Sequence, residues 1–325
     1  MSPRAAAQTT IPCRTSDGLR LAIRRVPSSA GPARGAVILQ HGLGSNGFVF
    51  DIPNHSLARK LADAGYDCFI SELRGAGASQ HPGKPYGLDD YMERDVPAIL
   101  AAVLDSTGRQ SVHWVGHSMG GILMMFYAIE HPDAPIDRFV ALGSALDYQA
   151  GESVFRKLSL ALPLAGSWLQ TFPFGRLGQA NSLVAGHGPV FPPERMNFWR
   201  SNIERDVMRA VLARGFDDIS IQLFRDLNST FTPRGFSRKQ GSIAYLRRSH
   251  EFRLRTCLIG GSRDLQATPE AIDATARLLA NAAELRVERL GLSHGQADDY
   301  GHIDLVVGKR AQQEVWPKIL GFLEA

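Results

Sequence analysis

The sequence predicts an α/β fold, a mostly parallel doubly wound sheet with a helical cap insertion, and three observations predict it. Short apolar runs alternate with helical periodicities through the first 146 residues. Alternation of this kind means a parallel sheet covered by helices on both faces. One of these runs, Ser111 to Ile122 (SVHWVGHSMGGI), passes from an apolar strand through a tight Gly116-His117-Ser118-Met119-Gly120 turn into the helical run ILMMFYAIEH. The rhythm then breaks at about Asp147 and returns near Thr256. The expected organisation is a core of residues 1-146 and 254-325 and a cap or lid insertion of residues 147-253.

Taken in order, Gly18 to Val26 alternates apolar and polar residues after the turn-like Thr15-Ser16-Asp17-Gly18, the pattern of an edge strand with one solvated face. Gly35 to Gln40 is continuously apolar up to its last residue and stops at His41-Gly42-Leu43-Gly44, as a buried strand entering a loop of closely approaching backbone would. His55 to Gly65 has helical spacing through Leu57, Leu61 and Ala64, and Tyr66 to Ser71 reads as the next strand. It enters the glycine-rich stretch Glu72 to Ser79, which lacks the G-K-[ST] or G-x-G-x-x-G of a phosphate loop and reads as a positioning turn under the site. A helix is expected within Gly87 to Ser106 and a buried strand over Arg138 to Ser144.

The insertion carries prolines at 163, 173, 189, 192, 193 and 233 and no run that reads as a buried strand, so it is expected to be helical. It also holds 14 of the 27 aromatic residues, among them Trp168, Phe172, Phe174, Phe198, Trp199, Phe224 and Phe231. Packing accounts for such an enrichment, and so does a lid over an apolar substrate, since pockets are lined by apolar and aromatic side chains. Beyond the insertion, Thr256 to Gly260 and Glu284 to Leu290 are strands, Pro269 to Ala280 is a helix, and a final amphipathic helix is expected from Lys309 to Leu323.

Composition narrows the class. A chain of 325 residues, 44% hydrophobic and 21% charged, can bury a large core. No stretch reaches the apolar length of a membrane span and the N-terminus has no apolar signal region, so the expected location is cytoplasmic. Cys13, Cys68 and Cys257 are widely spaced, without metal-ligand spacing, and read as small buried hydrophobes. The net charge of +4 is unevenly placed: residues 150 to 255 sum to +8 and the remainder to −4. The insertion is basic without a polybasic run, which argues against nucleic-acid binding and leaves open an attraction for anionic substrates.

The chemistry gathers on Ser118. A serine on a strained strand-to-helix turn needs small neighbours two positions either side, and Gly116 and Gly120 supply them. The helix behind it points free amides at the place where an oxyanion would form, Met119 N–H first, and Leu43 N–H of the HGLG loop is the natural second donor. His41 in that loop reads as scaffold. A serine hydroxyl needs a base and an acid that orients the base. Asp264, just past a strand end in a Gly-Ser-Arg-Asp turn, is favoured over Asp147 as the acid; His302 and His294 share the loop where the base belongs.

The segments HGLG at 41 to 44, ELRGAGAS at 72 to 79, GHSMGG at 116 to 121, GGSRD at 260 to 264 and YGHIDLVVG at 300 to 308 together resemble the α/β-hydrolase superfamily, and the last resembles its acid-lipase-like branch of esterases and lipases. The resemblance implies an α/β-hydrolase fold with Ser118 as nucleophile, Asp264 as acid, His302 as base, and the Leu43 and Met119 amides as oxyanion hole. It implies a carboxylic-ester hydrolase acting through an acyl-enzyme on a small-molecule ester with an apolar acyl part, with no cofactor and no metal. Acyl transfer or thioester cleavage by the same triad is the alternative, and a non-catalytic binding protein on the same fold the more distant one. The serine at 118 argues against relatives with an aspartate nucleophile, such as haloalkane dehalogenases and epoxide hydrolases. Unlike secreted members of that branch, the chain shows no signal peptide and no evident disulfide pair.

Overall fold

A computed structural model describes residues 9–153, 170–186 and 192–325. Eight strands form one sheet: β1 (Thr9–Ile11), β2 (Ile23–Val26), β3 (Gly35–Gln40), β4 (Tyr66–Ser71), β5 (Val112–His117), β6 (Ile136–Leu142), β7 (Arg255–Gly261) and β8 (Glu284–Leu290). Their order is β1-β2-β4-β3-β5-β6-β7-β8. From β4 to β8 every pairing is parallel, and only β1 and β2 run against their neighbours.

The apolar runs explain the layering. Successive side chains of a strand point to opposite faces, so Ile38 joins one core with Phe69, Trp114 and Phe139, while Val37 and Leu39 join another with Cys68, Val115 and Val140. The first core is covered by α2 (Val96–Thr107) and α3 (Met119–Glu130), the second by α1 (Leu57–Asp63) and α5 (Trp316–Leu323); α4 (Pro269–Leu278) packs against β7. α1 starts where Ser56 caps it by accepting the amide of Arg59, and α4 starts where Thr268 accepts that of Ala271 with proline behind it.

Three local expectations change. The strand over Gly18–Val26 is confined to Ile23–Val26 and lies inside the sheet, because Thr9–Ile11 pairs along its outer side and takes the edge. Gly18 sits at φ +84° in a turn closed by the Gly18 amide on the Thr15 carbonyl, and the front of the alternating run folds back across it, the Thr15 amide donating to the Leu19 carbonyl and the Leu21 amide to the Cys13 carbonyl. The terminal helix over Lys309–Leu323 is two pieces, Ala311–Glu314 and α5, broken at Val315 before Trp316-Pro317.

Between β6 and β7 the described residues form helices at Phe174–Ser182, Pro192–Asn197, Arg205–Arg214 and Ile221–Leu227, as the loss of strand rhythm predicts. They also form two two-residue antiparallel ladders, Thr171–Phe172 with Ile219–Ser220 and Ser237–Arg238 with Ile243–Ala244, which are too short to leave a periodic signature. Trp168, Pro163 and Pro189 lie outside the described residues. The ladder at 237–244 is clamped to the core: Arg238, nearly fully buried, pairs with Glu130 of α3 and with Asp89 and Glu93. The turn over Glu72–Ser79 is held by Arg74, which is fully buried and bonds Asp95, Asp17 and Asp90. All three cysteines are free and buried, and no described helix is long and apolar enough to cross a membrane.

Candidate active site

The C-terminal ends of the parallel strands meet at one pocket. β5 is followed at once by Ser118, whose φ of +53° lies in the left-handed region that a residue with a side chain rarely occupies. Something must hold it there, and the packing does. A Cβ on Gly116 would stand 2.4 Å from the Gly121 nitrogen, and one on Gly120 would stand 2.3 Å from the Gln40 carbonyl oxygen. The Ser118 amide donates to the Leu142 carbonyl, and the Ser118 carbonyl accepts from Ser144 Oγ at 2.7 Å. The strain sits at the residue whose hydroxyl must project from the turn.

The turn after β7 carries Asp264, which is 2% exposed, and the loop after β8 brings in His302, which is 3% exposed. His302 Nδ1 lies 2.7 Å from Asp264 Oδ2. The other oxygen, Oδ1, accepts the amides of Gln266 at 2.8 Å and Ala267 at 3.0 Å, so the carboxylate is fixed from behind. With Nδ1 engaged on the Asp264 carboxylate, Nε2 is the other end of the imidazole, and His302 lines the pocket beside Ser118, Leu43 and Met119. The Leu43 amide makes no hydrogen bond among the described residues. Met119 opens α3, where the first amides have no acceptor within the helix. The rejected alternatives fall elsewhere: Asp147 Oδ1 accepts the Gln149 amide, and His294 is an exposed residue of a short helical turn.

His41, read from sequence as scaffold, and His117 of the serine turn are both buried and neutral. His41 Nε2 accepts the Leu73 amide at 3.2 Å, tying the HGLG loop to the glycine-rich turn. His117 Nε2 lies 3.1 Å from the His302 carbonyl, and the two rings are 4.7 Å apart between centroids. Burial, and then the neighbouring His302, push His117 down to about 3; burial also lowers His41. The unfolded chain therefore binds protons that the folded one refuses. The contribution of His117 is intact above about pH 6.5 and is lost as the pH falls from there toward about 3, by about 1.4 kcal/mol per pH unit, and His41 acts in the same direction. Urea midpoints measured between pH 7.5 and 5 should fall accordingly. His117→Gln should flatten that decline, and an unchanged slope would contradict the assignment.

The pocket has an open volume of about 60 Å³, and its walls are largely apolar: Ile122, Phe172, Phe174, Phe216, Phe224 and Phe236 among them. Five of these six come from the insertion. No Arg or Lys lines it among the described residues, and several of the insertion's cations are engaged elsewhere. Arg176 pairs with Asp218, Arg248 with Glu251, and Arg214 lies over the Phe48 ring. Among the described residues, the attraction for anionic substrates that net charge leaves open therefore has no counterpart at this site. Nor do the described residues contain a group of three or more side chains arranged for a metal.

Residues 35–291 match the family described as alpha/beta hydrolase fold. The chain belongs to that family. Among curated relatives, this α/β-hydrolase chain is 32% identical to human (Homo sapiens) lipase member K over 163 residues, 45% of the chain and 41% of the relative. It is 24% identical to mouse (Mus musculus) lipase member K over 356 residues, 95% and 86% of the two chains. The first of these alignments spans about two fifths of the relative's length. Among solved structures, a monoacylglycerol lipase of Paleococcus ferrophilus superposes with a TM-score of 0.65 at 16% identity, covering 94% and 98% of the two chains. The likeness to the acid-lipase-like branch rests on the lipase relatives, and the solved structure shows the fold alone.

Sequence reasoning passed over two residues of the α/β-hydrolase site. Gly143, at φ +56° after β6, is where a Cβ would come within 3.1 Å of both Asp264 Oδ2 and His302 Nδ1. A glycine ending an apolar strand in VALGS was the available signal. Asp304 lies within the YGHIDLVVG string, where nothing local says what a carboxylate would touch.

Proposed function

We propose that this α/β hydrolase is a serine esterase that cleaves an uncharged carboxylic ester with an apolar acyl part, and that residues 147–253 form its cap. The 2.7 Å contact between His302 Nδ1 and Asp264 Oδ2, behind a strained Ser118, carries the reading. His302 Nε2 takes the Ser118 proton as Oγ attacks the acyl carbonyl, and the Leu43 and Met119 amides receive the oxyanion. Collapse of the tetrahedral species breaks the ester C–O bond, and His302 returns its proton to the departing alkoxide. Water then enters: His302 takes its proton, hydroxide adds to the serine ester, and collapse releases the acid and restores the Ser118 hydroxyl. The lipase names of the relatives support ester cleavage as the reaction class.

The aromatic walls make a quantitative prediction. Each methylene buried in an apolar pocket contributes about 0.8 kcal/mol, or about fourfold in kcat/KM. Across p-nitrophenyl esters of graded length, kcat/KM should rise by about that factor per methylene until the pocket is full. A succinate half-ester, which is anionic, should be turned over more slowly than the neutral ester of equal length, with little change on adding salt. A flat chain-length series, or a strong preference for the anion that salt abolishes, would overturn the substrate class. A fluorophosphonate probe should label Ser118 covalently, and no labelling would favour the non-catalytic binding protein.

A further inference from the structure

Asp304 stands two residues after His302 and is completely buried. One of its oxygens, Oδ2, accepts two backbone amides that come from different parts of the chain. The Gly301 amide, adjoining His302, is at 2.8 Å, and the Trp199 amide, in the cap, is at 2.7 Å. The other oxygen, Oδ1, has no hydrogen-bond partner among the described residues. The approach is close on every side, since a Cβ on Gly301 would stand 2.7 Å from the Trp199 nitrogen and 2.9 Å from Asp304 Oδ2.

The seam extends beyond this carboxyl. Ile303 N–H donates to the Asn197 carbonyl at 2.9 Å, and Lys309 N–H to the Asn202 carbonyl at 2.7 Å. Asn202 Nδ2 donates to the Asp299 carbonyl at 3.0 Å. On the side of the acid, Gln266, whose own amide is held by Asp264, reaches Asn197 Oδ1 at 3.2 Å through Nε2. Residues 196–202 thus touch both loops that carry the acid and the base, and Met196 and Asn197 also line the pocket. Ordinary cap packing needs no buried carboxyl with one oxygen unpaired, and leaving a polar atom so costs about 1–3 kcal/mol. That cost points to a geometric demand.

We propose that Asp304 is a positioning residue that locks the His302 loop to cap residues 196–202, so that the cap's seating over the pocket sets the alignment of the catalytic histidine. The inference rests on the Ser118–Asp264–His302 reading above. Burial pushes the Asp304 carboxyl well above the usual carboxylate range, with the two amides pulling it back. Asparagine, a neutral group of the same shape that keeps the accepting oxygen, is therefore its conservative replacement. Leucine keeps the branched heavy-atom outline, with bulkier methyl groups in place of the oxygens, and has no acceptor.

The test compares Asp304→Asn, Asp304→Leu, Trp199→Pro and Trp199→Ala in the full chain, reading kcat and KM on a short soluble p-nitrophenyl ester and the low-field proton resonance of the His302–Asp264 hydrogen bond. Asp304→Asn should keep kcat within about threefold. Asp304→Leu should lower kcat by about 10²-fold, the effect of misplacing a reacting group by about 1 Å, with KM changed far less and the low-field resonance weakened. Trp199→Pro, at a φ of −92° that lies close to proline's range, deletes the cap amide and should lower kcat by about tenfold. Trp199→Ala keeps the amide and should leave kcat near wild type. A folded Asp304→Leu with wild-type kcat and resonance would overturn the proposal. So would a Trp199→Pro indistinguishable from Trp199→Ala, and that pair decides alone if Asp304→Leu does not fold. A failure of the triad reading is separable, because it would show as undiminished turnover in His302→Ala with Asp304 intact.

Discussion

Ser118→Ala should lower kcat/KM on p-nitrophenyl esters by about 10⁴- to 10⁶-fold, the scale on which losing the nucleophile of a serine triad acts. The residual rate should still exceed that of water, because the free amides at Leu43 and Met119 and the aromatic pocket remain to bind the ester and its oxyanion. Stability should not fall with activity. The Ser118 side chain makes no hydrogen bond among the described residues, and the strained φ of +53° is held by backbone contacts that alanine keeps. Thermal unfolding beside the kinetic assay checks both halves of this expectation. Undiminished turnover in a folded Ser118→Ala would sink the serine-esterase assignment.

Asp264→Asn should lower kcat by about 10⁴-fold, through the tautomer of His302 rather than through the loop. Asparagine can keep an oxygen at the Oδ1 position, where the Gln266 and Ala267 amides converge. Its NH₂ group then faces His302 Nδ1 across the 2.7 Å contact and forces that nitrogen to act as acceptor. The proton moves to Nε2, the end that must receive the Ser118 proton, and the imidazole can no longer act as base. KM should change little, since Asp264 does not line the pocket. Asp147→Asn is the control. Its carboxylate serves the Gln149 amide, so kcat should stay within about twofold. A collapse of kcat in Asp147→Asn with Asp264→Asn spared would move the acid to the earlier strand.

The parts of this site that were legible in sequence are those whose chemistry is spelled locally. Gly116-His117-Ser118-Met119-Gly120 shows its purpose in five residues, because steric demands two positions either side of the serine are demands on residue type. Asp264 and His302 are legible through chain order and through the strand ends they follow. The errors in the fold have equally local causes. A three-residue edge strand at Thr9–Ile11 is too short for a periodic pattern, and the turn at Thr15–Gly18 borrowed residues that alternate like a strand.

Charge shows where local reading ends. The excess of arginine in residues 150 to 255 is a property of composition, and composition cannot say that Arg238 is spent on Glu130, Asp89 and Glu93 or Arg176 on Asp218. Those pairings join residues up to 149 positions apart. Among the described residues no Arg or Lys lines the pocket, so the excess seen in composition does not appear there as charge.

By itself, then, the sequence determined the layered α/β fold, the strained serine and the residue types able to serve it, since strand alternation and steric room at a turn depend on near neighbours. Tertiary structure alone decided which aromatics face the pocket, where the insertion's charge is spent, and that Asp304 joins Gly301 to Trp199. The reason is physical: a hydrogen bond or a wall contact is set by distance in space, and residues 105 positions apart carry no record of meeting.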